Sequence, residues 1–364
     1  MADLAGMRIG LVLATSTGGV GRHVRSLAAG LPAHGAEVTV CGPAATEESF
    51  GFAAAGARFV PVEIGTDPRP VADLGALRRL RVALRAAGAV HAHGLRAGLL
   101  AGLAVRRTPY VVTWHNAVLG GGVRRRAVGL LETAVARRAT VTLAVSTDLV
   151  DRVRGLGGRD VRLLPVPAPR LPGGGGAAEV RAELGANDRP LVLAVGRLHL
   201  QKGFPTLLEA ARGWAGRQPP PVVAIAGEGP ARAELAASIA ASGAAVRLLG
   251  HRADVSDLLA AADVVVLPSR WEGSPLAAQE ALAAGRPLVA SSVGGVPDLV
   301  GDGAVLVPAG DPDALATAVS RLLDDPAEAA ALAARGAVRA ATWADEATTV
   351  AAVAAVYAEL RGRR

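Results

Sequence analysis

Residues 270–280 read RWEGSPLAAQE and place two carboxylates, Glu272 and Glu280, eight positions apart around a helix start signal. Ser274 suits an N-cap and Pro275 the first helical position. The helix then runs LAAQEALAAG and stops at Gly285. Its first turn offers free backbone N–H groups and the positive end of the helix dipole, and its small residues let an anion approach. Glu272 stands outside the helix beside that anion. Glu280 lies about 8 Å further along, at about 1.5 Å per residue. The pattern suits a diphosphate flanked by two hydroxyl-bearing groups, each bonded to one carboxylate. A solvated glutamate and an ordinary helix would read the same in this stretch alone.

A second stretch, GRLHLQKGF (196–204), follows an apolar run and holds Arg197 and Lys202 in one loop. Two cations there could neutralise a leaving diphosphate. Lys202 is the only lysine in a chain with 39 Lys plus Arg. A third stretch, STGGVGRHV (16–24), follows the first apolar run, and Gly18 and Gly19 let backbone approach a ligand closely. It lacks G-x-G-x-x-G, and the second apolar run ends in EVTVCGP with no acid for a ribose, so a nicotinamide cofactor is not expected. His93 closes the run AVHAH, where a histidine ending a strand can simply be packed against a loop. His91 is placed on the opposite strand face with a packing role. His115, ending PYVVTWH, is a further residue that could line the site.

These groups need strand ends to hold them. Apolar runs at 7–14, 37–42, 89–93, 109–115, 141–146, 189–196, 221–227, 245–250, 263–269, 286–291 and 304–308 read as strands. Their near-continuous Val, Leu and Ile content marks strands buried on both faces. Segments such as 205–215 and 312–325 have helical spacing. Strand-helix alternation predicts parallel sheets, with ligands outside the carboxyl ends of the strands. The expected fold class is α/β, with two doubly wound Rossmann-like domains facing a central cleft. The alternation breaks at PVPAPRLPGGGG (165–176), a proline-stiffened, glycine-flexible stretch. The expected division is an N-terminal domain at 1–170, a linker at 171–188 and a C-terminal domain at 189–344. The last stretch, about 345–364, reads as a helix.

Composition narrows the function classes. At 51% hydrophobic the chain can bury a core, and at 3% aromatic it is a poor stacking platform for single-stranded nucleic acid. One cysteine, Cys41, excludes an intramolecular disulfide and fits a reducing cytoplasm. The first residues do not read as a signal peptide, and no long charge-free apolar stretch predicts a membrane span. Residues 1–170 hold 22 Arg against 11 acids, and the remainder 17 basic against 21 acidic residues. A basic first half points to an acidic partner such as a membrane surface or a phosphorylated substrate, although genomic base bias would leave the same mark. The stretches 77–88 and 121–138 could lie on anionic lipid, with solvated helix faces as the default. Nucleic-acid binding has only net charge behind it and no motif.

The motifs GGVGRHV, HAHG, GRLHLQKG, AGEGPARAEL, the long run 248–300 around Glu272 and Glu280, and PAGD occur in this order. With them the chain resembles the retaining nucleotide-sugar glycosyltransferases of family 4, which have the GT-B fold. The spacing of Glu272 and Glu280 is that family's Glu-x7-Glu. The resemblance implies that Glu272 contacts donor-sugar hydroxyls and that Glu280 binds the ribose. Arg197 and Lys202 would hold the diphosphate, with Gly19 and the backbone N–H groups at Ser274, Pro275 and Leu276. Residues around Gly227 and Gly229, and around Arg252, would flank the nucleoside, with base recognition near Arg252 largely by backbone. His93 would reach the sugar and reaction centre, and the last helix would cross back onto the N-terminal domain. Gly21 stands where many relatives carry a longer side chain facing the acceptor, and GSPLAAQEAL replaces a bulkier apolar version.

The expected reaction moves a hexosyl-type sugar from a nucleotide-diphosphate sugar to a hydroxyl acceptor: a lipid, a glycan or a small molecule. No Asp-x-Asp motif calls for a metal, and no cofactor is expected. The acceptor hydroxyl would attack from the leaving-group face, giving its proton to a departing phosphate oxygen. The expected location is cytoplasmic, with the inner membrane face as a docking surface. Two other readings stay open: a GT-B sugar-nucleotide epimerase or hydrolase, and a non-catalytic nucleotide-sugar-binding protein.

Overall fold

The computed structural model describes residues 2–117, 122–169, 171, 173–243 and 245–362. The chain forms two compact units, Met1–Val166 with Ala344–Arg364, and Pro167–Trp343.

In unit 1 the elements run β1 (Arg8–Leu13), α1 (Gly19–Gly30), β2 (Glu37–Gly42), α2 (Ala44–Phe50), β3 (Arg58–Pro61), α3 (Pro70–Ala83) and β4 (Ala89–His93). They continue with α4 (Leu95–Ala104), β5 (Tyr110–Trp114), α5 (Gly122–Arg138), β6 (Val141–Ala144), α6 (Thr147–Gly155) and β7 (Val161–Leu163). The strands make one sheet in the order β3-β2-β1-β4-β5-β6-β7, with every pairing parallel. The order reverses between β1 and β4, so the carboxyl ends of these two strands flank a topological switch point. The glycine loop leaves β1 there and His93 ends β4.

Unit 2 opens with α7 (Ala177–Glu183), β8 (Leu191–Val195), α8 (Phe204–Arg212), β9 (Val222–Ala226), α9 (Arg232–Ser242), β10 (Val246–Gly250) and α10 (Val255–Ala261). It goes on with β11 (Val264–Leu267), α11 (Leu276–Ala283), β12 (Leu288–Ser291), α12 (Val296–Val300), β13 (Val305–Val307), α13 (Pro312–Asp324) and α14 (Pro326–Ala341). Its parallel sheet has the order β10-β9-β8-β11-β12-β13. The switch here lies between β8 and β11, the strands that precede the Arg197 and Glu272 loops. Helix α15 (Glu346–Arg361) belongs to unit 1, where Val350, Val353 and Tyr357 enter the core with α1 and β1.

Local signals set the helix starts. Asp311 accepts from Ala314 N–H ahead of Pro312, Asp325 accepts from Ala327 and Glu328 N–H ahead of Pro326, and Asp345 caps α15 through Thr348 N–H. The central strands β4, β5, β6, β9 and β11 are buried at every position.

Two strands escape the apolar pattern. β3, RFVP, and β7, VRL, are the two edges of the seven-stranded sheet and are partly exposed, so they need no continuous apolar run. The span 171–188 is not only a connection. Its residues 177–183 form α7, Gly176 N–H donates to Asp257, and Glu183 pairs with Arg252. These bonds and the packing of Val180 and Leu184 into the core make the stretch part of unit 2.

Candidate active site

In unit 2 the loops after β8 and β11 are bonded to each other, and this brings Lys202 to Glu272. Gln201 Nε2 donates to Trp271 O at 3.0 Å, and Arg270 N–H donates to Gln201 O at 2.8 Å. Gly203, at φ +65°, lies so close to Pro268 that a Cβ would fall 1.9 Å from its carbonyl oxygen. Only glycine meets both demands. The result is an ion pair of 2.6 Å between Lys202 Nζ and Glu272 Oε1. Ser269 Oγ donates to the same carboxylate oxygen at 2.6 Å. Glu272 is 5% exposed. Its backbone is also held, since Gly295 N–H donates to Glu272 O at 2.9 Å and Gly294 packs against the same carbonyl. The glycine pair of SSVGGVPDLV is thus a support for Glu272 that sequence reading left without a role.

Helix α11 starts after Ser274 and Pro275, with Leu276 as its first residue and no acid in its first turn. Glu280 is buried on this helix. Gln279, also buried, donates to Ser274 Oγ at 3.0 Å and accepts from Ala168 N–H at 2.8 Å. Arg197 is exposed on the loop after β8. The loop after β9 packs on that loop: Leu198 N–H donates to Glu228 O, and Gly227 and Gly229 abut the carbonyls of Gly196 and Leu198. Arg197, Lys202, Glu272, Ser274, Gly227 and Gly229 therefore all sit on loops at the carboxyl edge of one sheet.

The Arg252 side chain is engaged within unit 2. Its guanidinium forks onto Glu183 at 2.6 and 2.9 Å and onto Asp254 at 2.8 and 2.6 Å. Those bonds hold both carboxyls below their usual range. The side chain thus fastens α7 to the loop after β10.

In unit 1, Gly18 and Gly19 lead from β1 into α1, and open space surrounds the Gly18 Cα. Gly21 does not line an open surface. A Cβ there would meet the Phe50 ring at 2.1 Å, so Gly21 is where α1 packs on the end of α2. His93 is buried, and its Nδ1 lies 3.2 Å from Nε2 of His115, which is buried too. His23 joins them, with ring centroids 5.5 Å from His93 and 5.6 Å from His115. His23 was not singled out, although it stands in GGVGRHV.

His91 corrects the strand reading. Positions two apart share a strand face, and the His91 and His93 rings lie 4.3 Å apart. Its packing role is seen directly: Nδ1 is 2.6 Å from the Tyr357 hydroxyl of α15, and Nε2 is 2.6 Å from Thr113 Oγ1. The Nε2 atoms of His23 and His93 are buried and make no hydrogen bond among the described residues.

Burial pushes the His23 imidazole down to about 4. Burial, then the charge of His23, pushes His91 down to about 3. Burial first and neighbouring imidazoles second hold His93 and His115 well below the usual range. The cluster is therefore neutral at pH 7. Among the described residues, no group of three or more His, Cys, Asp or Glu is arranged to hold a metal ion. Asp254 and Asp257 are engaged with Arg252 and Gly176.

The basic stretches separate. On α3 and the turn that follows it, Val71, Leu74, Arg78, Val82 and Arg85 are exposed, while Ala76, Leu80 and Leu84 are buried. On α5, Val135 is buried, and Arg137 and Arg138 bond to carbonyls of unit 1. Position 121 and the side chains of residues 122–125 and 127 lie outside the described residues. Among the described residues no helix is long and apolar enough to cross a membrane.

The histidine cluster makes stability depend on pH. A histidine whose folded value is depressed stays neutral while the unfolded chain takes up protons below about 6.5. Its contribution is full above that value and is lost as pH falls towards the folded value. Each such histidine steepens the fall by up to about 1.4 kcal/mol per pH unit. The urea midpoint should therefore drop between pH 6.5 and 5, above the main carboxylate range. A flat midpoint across that window would contradict the buried neutral cluster.

Residues 189–325 match the family described as "Glycosyl transferases group 1", and residues 18–169 match the "Glycosyl transferase 4-like domain". The chain is 39% identical over 156 residues to the alpha-D-kanosaminyltransferase of Streptomyces kanamyceticus, covering 41% of this chain and 40% of that protein. The match thus spans less than half of that relative's length. With the glycogen synthase of Mycobacterium tuberculosis strain H37Rv it is 31% identical over 393 residues, covering 95% of this chain and 92% of that one. HepE of Anabaena, solved in complex with UDP, superposes with a TM-score of 0.81 at 21% identity, covering 97% of this chain and 100% of that chain. Two doubly wound parallel sheets, loops at both switch points and these matches across both units have one reading: the chain belongs to the group 1, family 4-like glycosyltransferases of the GT-B fold.

Proposed function

We propose that the protein is a retaining, metal-independent glycosyltransferase that moves a hexosyl-type sugar from a nucleotide-diphosphate sugar to a hydroxyl acceptor. The observation that carries this is the Lys202–Glu272 pair beside the start of α11 at the unit 2 switch point. A diphosphate at that helix start meets backbone N–H groups at Ser274, Pro275 and Leu276, with Lys202 and Arg197 adding charge. Glu272 then takes sugar hydroxyls, Glu280 takes the ribose, and Gly227 and Gly229 give the nucleoside a backbone wall. Arg252 acts through its clamp on α7. The neighbour HepE, which holds UDP, supports a nucleotide donor.

In unit 1, Gly19 belongs to the loop assigned to ligand backbone contacts. His93 is assigned the reaction centre, because its Nε2 is buried and makes no hydrogen bond among the described residues. A neutral His93 can donate or accept one hydrogen bond without adding charge. The acceptor proton passes to a leaving phosphate oxygen, so no enzyme carboxylate forms a covalent bond to sugar.

A thermal-shift series tests the donor site. UDP, GDP and ADP are compared in chelator-treated buffer, with each protein measured against its own ligand-free melt. One nucleotide should raise the midpoint, by an amount near 2.7 kcal/mol at a hundredfold excess over its dissociation constant. The rise should shrink strongly in Lys202→Ala. An undiminished rise in that variant would remove Lys202 from the phosphate site, and no rise with any nucleotide would count against the donor reading.

We further propose that the exposed α3 face rests on anionic lipid, its valines and leucine entering the headgroup boundary and Arg78 and Arg85 meeting phosphates. The protein should sediment with phosphatidylglycerol vesicles and stay in solution with phosphatidylcholine. Sedimentation undiminished in Arg78→Glu/Arg85→Glu would reject this face.

A further inference from the structure

Gln279 is a buried amide on α11, between the fully buried Ala278 and the buried Glu280. A buried amide is costly unless its polar atoms are bonded. Here both ends are used: Oε1 accepts from Ala168 N–H at 2.8 Å, and Nε2 donates to Ser274 Oγ at 3.0 Å. Ala168 lies in the proline-rich segment that begins unit 2 at Pro167. Ser274 precedes α11, whose start is assigned the donor diphosphate. The amide is planar, so its two bonds are oriented together. A hydroxyl that accepts from an amide N–H directs its own hydrogen away from that amide.

We propose that Gln279 is a positioning residue for the donor: it orients the Ser274 hydroxyl at the start of α11 and ties it to the backbone at Ala168. The anion site and the first residues of unit 2 are then set by one side chain. This rests on the donor reading given above. Neither the Glu-x7-Glu pattern nor helical spacing requires a polar residue at 279. Leucine or methionine would fill the same volume and make neither bond.

A thermodynamic cycle separates this role from simple fastening of residues 167 and 168. Dissociation constants for UDP, GDP and ADP are measured by calorimetry with wild type, Gln279→Met, Ser274→Ala and the double variant. For the nucleotide that wild type binds best, Gln279→Met should weaken binding about tenfold. In the Ser274→Ala background the same change should alter binding by less than about twofold. Binding by Gln279→Met within twofold of wild type would overturn the proposal. So would a tenfold loss that persists without the Ser274 hydroxyl, because the effect would then run through Ala168 alone. If Gln279→Met does not fold, Gln279→Glu replaces it, since it keeps an acceptor for Ala168 N–H and lacks a donor for Ser274. Its loss should be larger in the wild-type background than with Ser274→Ala, where its added charge acts equally, and equal losses would overturn the proposal. Failure of wild type to bind any of the three nucleotides would reject the donor reading itself, and this inference with it.

Discussion

The ammonium of Lys202 and the carboxylate of Glu272, 2.6 Å apart and largely shielded from water, impose the strongest constraint on unit 2. Removing one partner of such a pair leaves a buried charge, at a cost of about 3–5 kcal/mol in well-buried cases. The surrounding chain is arranged to keep the two together. Gln201 and Arg270 bond the loops crosswise, Gly203 allows their backbones to touch, Ser269 satisfies the same oxygen, and Gly295 holds the Glu272 carbonyl. These loops can meet because β8 and β11 are neighbours across the point where the strand order reverses. A diphosphate beside this pair offers the ammonium a second anion, so donor binding would redistribute a charge that is already in place.

Unit 1 solves a different problem at its own switch point. It gathers four imidazoles where water is excluded, and burial keeps them neutral. His91 is the fixed member, bonded at both nitrogens, and one of those bonds comes from Tyr357 near the end of the chain. The C-terminal helix therefore completes the wall against which His93 stands. The ring of His93 lies tilted against that of His91, and its Nδ1 contacts His115. Its Nε2 is buried and makes no hydrogen bond among the described residues.

Strands buried on both faces were legible because burial on both faces forces continuous apolar runs, and all eleven expected runs contain strands. β3 and β7 were not, because an edge strand can be short, charged and half wet. The Glu272 and Lys202 stretches announced themselves through charge beside helix-start signals. What the sequence did not carry was pairing at a distance. The Arg252 clamp has no local signal, since Glu183 lies 69 positions earlier. The contact of Gly21 with Phe50 has no local signal either, since it joins α1 to the end of α2. Gln279 has no local signal at all, since its partner Ala168 is 111 positions away. His91, by contrast, is placed on the face of His93 by strand geometry alone, because residues two apart share a face.

The central claim is that Lys202 exchanges part of its interaction with Glu272 for a donor diphosphate. Because Lys202 is the only lysine, protein grown with 15N-labelled lysine has a single side-chain ammonium resonance. We would follow that resonance while titrating UDP, GDP and ADP in turn. The account predicts that the nucleotide that binds shifts the Lys202 Nζ signal, and that the shift saturates with the binding curve. A nucleotide that binds by calorimetry yet leaves the Lys202 signal unmoved would contradict it.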